Sequence, residues 1–472
     1  MLRLPRQLVC DPAARRILRA LRARGHIAYL VGGCVRDQLL GRLPKDWDIA
    51  TSASPDEVEA LFPHTLGVGK AFGVILVIEG KRPFEVATFR GESEYSDGRH
   101  PDRVHFCDPE EDARRRDFTI NALFYDPETE CVLDFVGGVA DIEAGRLRTV
   151  GVPDERFAED RLRLLRAVRF AARTGFALEA DTAAAIRRLA AQATSVAVER
   201  QAEELGRMLA EGSARAAFGL LEETGLLEHV LPEVALFRGV EQPPQFHPEG
   251  DVWQHTLLML GHLDETIRRS LDAVGETPFA KDGLLYFPAR ADRLALAWAT
   301  LLHDLGKPAT IAYEDRIRFN NHDRVGARLA TRLLRRLRQS NHLVESVHEL
   351  VARHMRFPVL PEMREAKRRR FLQEPLFPLH LELHRLDCLG SHGQLDVYEY
   401  ALPAWEEELR RPPVVRPPLS GHDLMALGYP AGPRLGKMLD ALRDAALEGE
   451  ATTPEEARAW ILRTFPPAAG EN

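Results

Sequence analysis

The chain has 472 residues, 45% of them hydrophobic and 28% charged, with a formal net charge of −8. That length exceeds one ordinary core and points to about three domains, and the acidic balance excludes a globally basic nucleic-acid binder, so any RNA contact has to come from local basic patches acting within roughly 10 Å. Five scattered cysteines (Cys10, Cys34, Cys107, Cys131, Cys388) with no CxxC pair argue against a zinc ribbon or a disulfide framework and fit a reducing cytoplasm, while no apolar run approaches a membrane span and no signal-peptide core is visible.

In chain order, residues 1–25 read as a short amphipathic helix with Ile17, Leu18 and Leu21 on one side. Ala28-Tyr29-Leu30-Val31 reads as a buried strand stopped by Gly32-Gly33, and Cys34 to Leu40 as a helix ending at Gly41. Residues 46–50, 72–79, 83–89 and 131–136 are short, apolar and bounded by Gly, Pro or Asp, as strands are. The first 150 residues are therefore expected to form an α/β unit with a small sheet. After Pro153 the character changes: 155–230 carries helical periodicity and many alanines, Pro243-Pro244 breaks the chain, and 250–357 is helical and rich in histidine. A stretch of polyproline character at 411–418 reads as a linker, and 420–465 as a helical tail.

Lys45-Asp46-Trp47-Asp48-Ile49 holds two aspartates two residues apart, which on a strand share one face. Two such carboxylates can hold one or two Mg²⁺ ions that activate a hydroxyl and clamp a triphosphate. Upstream, Gly32-Gly33 ends a strand and opens a helix, where backbone N–H groups can cradle phosphate, and Arg36 in that first turn can reach the same anion. Glu85 on a later strand is a candidate third acidic group. Gly67-Val68-Gly69-Lys70-Ala71 is not a phosphate loop, because His64 and Ala71 stand where that pattern needs Gly and Ser or Thr.

Leu30-Val31-Gly32-Gly33-Cys34-Val35-Arg36-Asp37, followed by Lys45-Asp46-Trp47-Asp48-Ile49, resembles the head signature of the class II tRNA nucleotidyltransferases. That family holds the CCA-adding enzymes and the bacterial poly(A) polymerases, within the DNA polymerase β-like superfamily. Glu85 to Arg90 resembles the strand after the signature, and Glu94-Tyr95-Ser96-Asp97 with Arg99-His100-Pro101-Asp102 the flexible loop that follows. Asp112 to Ala122 resembles the ribose-recognition motif, and Glu159-Asp160-Arg161-Leu162-Arg163 the nucleobase-selecting motif. The resemblance implies that Arg116 contacts phosphate, that Asp117 and Asn121 bind the ribose, and that Asp160 and Arg163 address the base. Placed three apart on one helix, Asp160 and Arg163 would offer an acceptor face and a donor fork to the Watson–Crick edge of cytosine or adenine. Arg163, Arg166, Arg169 and Arg173 form a stripe that suits either phosphate contact or a plain amphipathic helix.

The second half repeats His beside Asp at helical landmarks: His247-Pro248-Glu249 and His255, His303-Asp304-Leu305-Gly306-Lys307, His322-Asp323, His354 and Leu386-Asp387. Imidazole with carboxylate suits Zn²⁺, Mn²⁺, Fe²⁺, Co²⁺ or Ni²⁺. The arrangement resembles the HD superfamily of metal-dependent phosphohydrolases. By that resemblance His255, His303, Asp304 and Asp387 are ligands, His322 and His354 match the extra ligands of dinuclear members, and Lys307 can hold a substrate phosphate. Ser420 to Gly436 resembles a tail segment of family members carrying this module, physically a capped helix, a turn and a second helix.

The expected fold is an α+β nucleotidyltransferase head with a small DNA polymerase β-like sheet (1–150), an all-α neck (151–240), an all-α HD domain (241–410) and a helical tail (411–472). The expected activity is Mg²⁺-dependent, template-independent addition of CMP and AMP from CTP and ATP to the 3′ end of tRNA in the cytoplasm, with no membrane partner, beside a metal-dependent phosphohydrolase. Poly(A) addition, or a division of labour in which the enzyme adds only A or only CC, is the nearest alternative. The loop at 92–103 resembles the element that lets a CCA-adding enzyme switch to ATP and argues against CC-only addition. A hydrolase of RNA ends or nucleotides with an inactive head is the alternative of a different class, and the intact Asp46, Asp48, Asp117 and Arg163 argue against it.

Overall fold

The small sheet is assembled from short strands separated by turns. A computed structural model describes residues 2–67, 69–93, 103–313, 315–411 and 417–466, and the chain divides into two units, Met1–Ala235 and Leu236–Asn472. In the first unit β1 (Leu2–Pro5), α1 (Pro12–Ala23), β2 (Ala28–Val31), α2 (Gly33–Leu39), β3 (Ile49–Thr51), α3 (Pro55–Leu61), β4 (Thr65–Leu66), β5 (Val74–Glu79) and β6 (Arg82–Thr88) come first. The β7–β8 pair (Arg90–Ser93, Arg103–Phe106), α4 (Pro109–Arg115), β9 (Leu123–Asp126) and β10 (Cys131–Asp134) follow.

The eight-stranded sheet runs β1-β10-β9-β2-β3-β6-β5-β4. Every neighbouring pair is antiparallel except β3 and β6, whose parallel register pairs Ile49 with Val86 and so brings Glu85 alongside Asp48. One face buries Ile17, Leu18 and Leu21 of α1 with Leu30, Ile49, Ile75 and Val86; the other buries Val31, Phe89, Phe124 and Leu133.

Several expectations needed correction. The helix expected over 1–25 starts at Pro12, where the Asp11 carboxylate accepts from the N–H groups of Ala13 and Ala14. The residues before it form the edge strand β1, the one place in a sheet where Pro5 costs no ladder bond. The strand expected over 46–50 is formed only from Ile49. The one expected over 131–136 ends at Asp134, whose carboxylate turns the chain by accepting from the amides of Val136, Gly137, Gly138 and Val139. Strand β9 follows directly on the segment read as a ribose motif, at residues where the sequence suggested no strand.

The unit continues with α5 (Gly138–Glu143), β11 (Arg146–Leu147), α6 (Pro153–Glu159), α7 (Leu162–Thr174), β12 (Ala177–Leu178) and α8 (Ala180–Leu189). It closes with α9 (Val198–Ala210), α10 (Ala214–Glu223), α11 (Leu227–Val230) and α12 (Pro232–Ala235). Helix α7 packs on α9 and α10, burying Leu164, Leu165 and Val168.

The second unit holds α13 (Val252–Leu271), the β13–β14 hairpin (Phe279–Lys281, Leu284–Tyr286), α14 (Arg290–Leu302), α15 (Lys307–Thr310) and the β15–β16 hairpin (Ile311–Tyr313, Ile317–Phe319). Helices α16 (His322–Arg336), α17 (Asn341–Arg353), α18 (Glu365–Leu372), α19 (Phe377–Gly390) and α20 (Asp396–Arg410) complete its main body. The two hairpins interrupt what the sequence suggested would be purely helical. The tail is α21 (Gly421–Ala426), capped by Ser420 and Asp423, then α22 (Pro433–Leu447) and α23 (Pro454–Thr464), closing on Leu424, Tyr429, Met438, Leu442 and Ile461. Most of the polyproline stretch (412–416) and the loop residues 94–102 lie outside the described residues. Among the described residues no helix is long and apolar enough to cross a membrane.

Candidate functional site

Asp46 and Asp48 stand just ahead of β3, where the chain bends at Lys45 and Asp46, so strand alternation does not set their directions, although the Asp46 charge reaches Asp48. The Asp48 carbonyl accepts the Val31 N–H at 3.0 Å, which fastens the segment beside the Gly32 turn. Burial, then the neighbouring Glu85 charge, pushes the Asp48 carboxyl up to about 6, with Asp46 adding and Arg116 and Arg36 opposing. A buried carboxylate crowded by two other carboxylates fits a divalent cation, whose charge reverses that repulsion. Below pH about 6 a proton competes with the ion for Asp48, so the Mg²⁺ concentration for half-maximal transfer should rise about tenfold per pH unit there. Mg²⁺ titrations of transfer at several pH values measure this, and a half-saturation independent of pH contradicts it.

Gly32 has φ +72°, so glycine is favoured by the turn, and Arg116 Nη1 lies at ordinary contact distance from where a Cβ would stand (3.5 Å). Its own N–H donates to the Leu123 carbonyl at 3.0 Å and is spent in the sheet. At the start of α2 the Val35 and Arg36 amides donate to the Gly32 carbonyl, so those of Gly33 and Cys34 are the ones an anion could meet. Arg116 is oriented by Asp112, which accepts from its Nε and Nη2 at 3.1 and 2.9 Å while its other oxygen holds Arg115. Asp112 was part of the quoted motif but had been given no role.

Arg36 does not reach outward as expected. It is 3% exposed, bound to Asp37 Oδ1 through Nε and Nη2 (2.8 and 2.6 Å) and to Asn121 Oδ1 through Nη1 (2.5 Å). It thereby turns the Asn121 amide so that Nδ2 donates to Asp117 Oδ1 at 3.1 Å. Burial alone would raise Asp117, but Arg166 (Nη2 to Oδ2, 2.7 Å) and Asn121 hold it down at about 2. Asp117 and Asn121 do meet, through the turn of a short 3-10 helix over Thr119–Asn121 rather than one face of an α-helix.

The arginine stripe on α7 is consumed within the protein. Arg166 binds Asp117, Arg173 binds Asp37 at 3.2 Å, and Arg169 binds Glu204 of α9 at 2.5 Å. Arg169 is therefore not a substrate contact in this state: its side chain is 3% exposed and that of Glu204 6%. Glu204→Gln should leave a buried guanidinium uncompensated and lower stability by about 3 kcal/mol. Urea unfolding measures it, and a midpoint unchanged from wild type contradicts the buried pair.

Asp160 and Arg163 do not share a helix. Helix α6 ends at Glu159, Asp160 is extended (φ −143°), and α7 begins at Leu162. The Asp160 carboxylate accepts from Arg200 of α9 through both oxygens (3.1 and 2.7 Å) and from the Leu162 N–H at 3.0 Å. Arg163 instead binds Glu159 at 2.5 Å and the carbonyls of Arg156 and Arg115 at 3.0 and 3.3 Å. The expected direct pair is thus replaced by two pairs side by side. Arg200 and Glu204 were missed; their signal was an i,i+4 placement on a helix otherwise read as plain neck.

In the second unit the N-cap Asp251 starts α13 and sets His255 in its first turn; His303 ends α14, His322 opens α16 and His354 follows α17. Gly306 makes the close approach possible, since a Cβ there would sit 2.1 Å from the His322 carbonyl oxygen. Each ring is aimed through Nδ1: His303 at the Thr300 carbonyl (3.0 Å), His322 at Phe319 (2.9 Å), His354 at Val351 (2.7 Å), His255 at Glu249 (2.8 Å). That pattern leaves Nε2 as the ligating nitrogen.

Ligand atoms of His255, His303 and Asp304 lie within 4.8 Å of one another, as do those of Asp304, His322 and His354, so Asp304 is shared by two groups. Asp387 Oδ1 stands 3.2 Å from His255 Nε2. His255 Nε2, His303 Nε2 and Asp304 Oδ2 have short contacts with Asp387, Asp304 and Lys307, yet none of the three atoms completes a hydrogen bond although all are buried. Orphaned ligand atoms converging without cysteine fit a divalent metal with imidazole and carboxylate ligands. Burial, reinforced by His303 and His322, lowers His354 to about 4, the neutral form that ligates.

The centre opens into a cleft of about 550 Å³ lined by Lys307, Arg316, Arg318, Phe319 and His384. Lys307 is tied to Asp304 (2.7 Å) and Gln242 (2.6 Å). Glu249 and His247, bonded at 2.9 Å, were quoted from the sequence without an assigned role.

Comparison with known proteins adds three matching families: the Poly A polymerase head domain over 28–148, the probable RNA and SrmB-binding site of polymerase A over 175–237, and the HD domain over 252–384. A CC-adding tRNA nucleotidyltransferase of Thermus thermophilus is 37% identical over 456 residues, 92% of this chain and 93% of that protein. A CCA-adding enzyme of Bacillus velezensis is 46% identical over 215 residues, 45% of this chain and 54% of its own length. The chain thus spans about half the length of this and the comparable Geobacillus relatives. The crystal structure of the Bacillus stearothermophilus CCA-adding enzyme in complex with CTP is similar at a TM-score of 0.69 and 29% identity, over 96% of this chain and 98% of that one. A Thermotoga maritima CCA-adding enzyme complexed with tRNA shares the fold at a TM-score of 0.58 and 19% identity.

Proposed function

The chain belongs to the family of tRNA nucleotidyltransferases and bacterial poly(A) polymerases, with an HD domain in its second half, and we propose that it adds CMP and AMP from CTP and ATP to the 3′ end of tRNA in the cytoplasm. The observation that carries this reading is the meeting of Asp46, Asp48 and Glu85 with Arg116 beside the Gly32 turn. Mg²⁺ held by Asp46 and Asp48 would neutralise the triphosphate and ease ionisation of the 3′ hydroxyl. Arg116, steered by Asp112, steadies the phosphates; Asp117 and Asn121, held by Arg166 and Arg36, receive the ribose; Asp160 and Arg163 meet the base edge. The 3′ oxygen bonds to the α-phosphorus, the bond to the β-phosphate breaks, pyrophosphate leaves, and the hydroxyl proton passes to solvent. The division into head (1–150), neck (151–240), HD domain (241–410) and tail (411–472) belongs to the same reading.

In the second unit His255, His303, Asp304 and Asp387 would hold one transition-metal ion and His322 and His354 help to hold another, drawn from Ni²⁺, Mn²⁺, Co²⁺, Fe²⁺ or Zn²⁺. Such ions supply a hydroxide at neutral pH and polarise a phosphoryl group. The reaction class of this site is phosphoester hydrolysis.

CC addition without A is a second reading, favoured by one observation: the Thermus relative that matches nearly the whole chain carries that name. Both are tested by giving the purified protein tRNAs ending before, within and after the CC stage, with Mg²⁺ and CTP, ATP or both. Two C and one A followed by termination supports CCA addition. A stop after two C supports the second reading, long A tracts support poly(A) synthesis, and no incorporation sinks the transferase assignment.

A further inference from the structure

Helix α16 carries two different faces. Its buried side begins with the candidate ligand His322, while Arg324, Arg328, Arg332 and Arg335 are exposed along its solvent side. Steps of four, four and three residues keep these arginines on one face. None of the four has an acidic partner within ion-pair distance among the described residues, although Glu345 and Glu349 line the groove between α16 and α17, and Glu349 is held by Arg353 at 3.0 Å. Other exposed helices here do pair their arginines at i,i+4: Arg114 with Glu110, Arg207 with Glu203, Arg411 with Glu407. Four like charges at helical spacing weaken a helix, and in a chain of net charge −8 the arrangement points to an anionic partner that offsets the repulsion.

We propose that the α16 arginine face is a docking track for the sugar–phosphate backbone of the RNA substrate. Eleven residues of α-helix span about 16 Å, over which one nucleic-acid strand presents roughly five phosphates. The guanidinium fork matches phosphate geometry, and the track starts two residues after His322, so bound RNA lies against the unit that holds the HD cleft. Arg316 on the β15–β16 hairpin adds positive charge at the wall of that cleft, whereas Arg318 beside it is paired with Asp315 at 2.8 Å. The inference rests on the reading of the substrate as tRNA.

The test replaces Arg324, Arg328, Arg332 and Arg335 together by serine in the full chain and measures binding of tRNA lacking its CCA end across KCl concentrations. Because these side chains are exposed and make no internal ion pair, the fold is expected to persist, which an unchanged unfolding midpoint verifies. The slope of log affinity against log salt should fall by about 3 units, since each of the four lost phosphate contacts removes about 0.7–0.9. Affinity at low salt should weaken at least tenfold, and KM for tRNA should rise with kcat and KM for CTP unchanged. Equal affinity and slope in the two proteins would overturn the proposal, as would a serine variant altered only in oligomeric state on sedimentation, which assigns the face to a second copy of the chain. If the wild-type protein incorporates no nucleotide, the functional reading fails instead, and binding then judges the track alone.

Discussion

Asp48→Asn should lower CMP and AMP transfer by about a thousandfold or more, near 4 kcal/mol of lost transition-state stabilisation, while raising the stability of the metal-free protein. The two effects share one cause. Asp48 is crowded by burial and by Glu85 and Asp46, and its carboxyl sits up at about 6, above the ordinary aspartate value of 3.8. The native state therefore binds the proton more tightly than the unfolded chain. Stability contributed by the protonated form is present at low pH and is lost as pH rises through about 6, so at neutral pH the ionised group is a net strain on the fold. Asparagine keeps the shape and removes that strain, for a gain of about 1–3 kcal/mol at pH 7. The same ionised oxygens are what a divalent cation needs. Rapid-quench transfer assays and urea unfolding in chelator measure the two sides. An active Asp48→Asn protein, or one less stable than wild type in chelator, contradicts the metal-site assignment.

His303→Ala should empty the HD centre and remove metal-dependent phosphohydrolysis, with at least a hundredfold loss of metal affinity, and leave nucleotide transfer intact. His303 Nε2 is a buried nitrogen without a hydrogen bond, while its Nδ1 meets the Thr300 carbonyl at 3.0 Å and its ring helps to hold Asp304 ionised, so alanine forfeits that brace and the packing as well as the ligand. Asp304→Asn is the contrasting variant. Asp304 is fully enclosed and held well below its ordinary range, against burial, by His303 and Lys307. Losing its charge leaves Lys307, 7% exposed at the side chain, without a counter-ion, and should cost about 3–5 kcal/mol in addition to the metal. Metal content after dialysis, hydrolysis of a chromogenic phosphodiester and CTP incorporation distinguish the cases. Loss of transfer in His303→Ala at unchanged stability would falsify the separation of the two chemistries.

Much was legible because spacing and residue type already carried the chemistry. The KDWD segment, the Gly-Gly turn and the His-Asp pair point, by residue type and spacing alone, to carboxylate, anion and metal chemistry. The alternation and length of apolar runs located β2, β5 and β6, and the Ser420 cap is a local event that side chain and backbone settle between neighbours. Strands β1 and β9 were illegible for the opposite reason. Each is four residues long and is defined by its neighbours in the sheet, β10 for β1 and both β10 and β2 for β9; little periodicity can be read over so short a run.

The sequence by itself determined which residue types were available to each site, because covalent order places Asp46 near Asp48 and His303 beside Asp304 whatever the rest of the chain does. Only the tertiary structure decided which of those groups remain open to a ligand. Arg36, Arg166 and Arg169 look equally cationic in the sequence, yet burial against Asn121, Asp117 and Glu204 turns them into braces. Asp160 takes its partner from α9, forty residues away. Charge is a local property of the chain, but the partner that neutralises a charge is chosen by packing between segments distant in sequence.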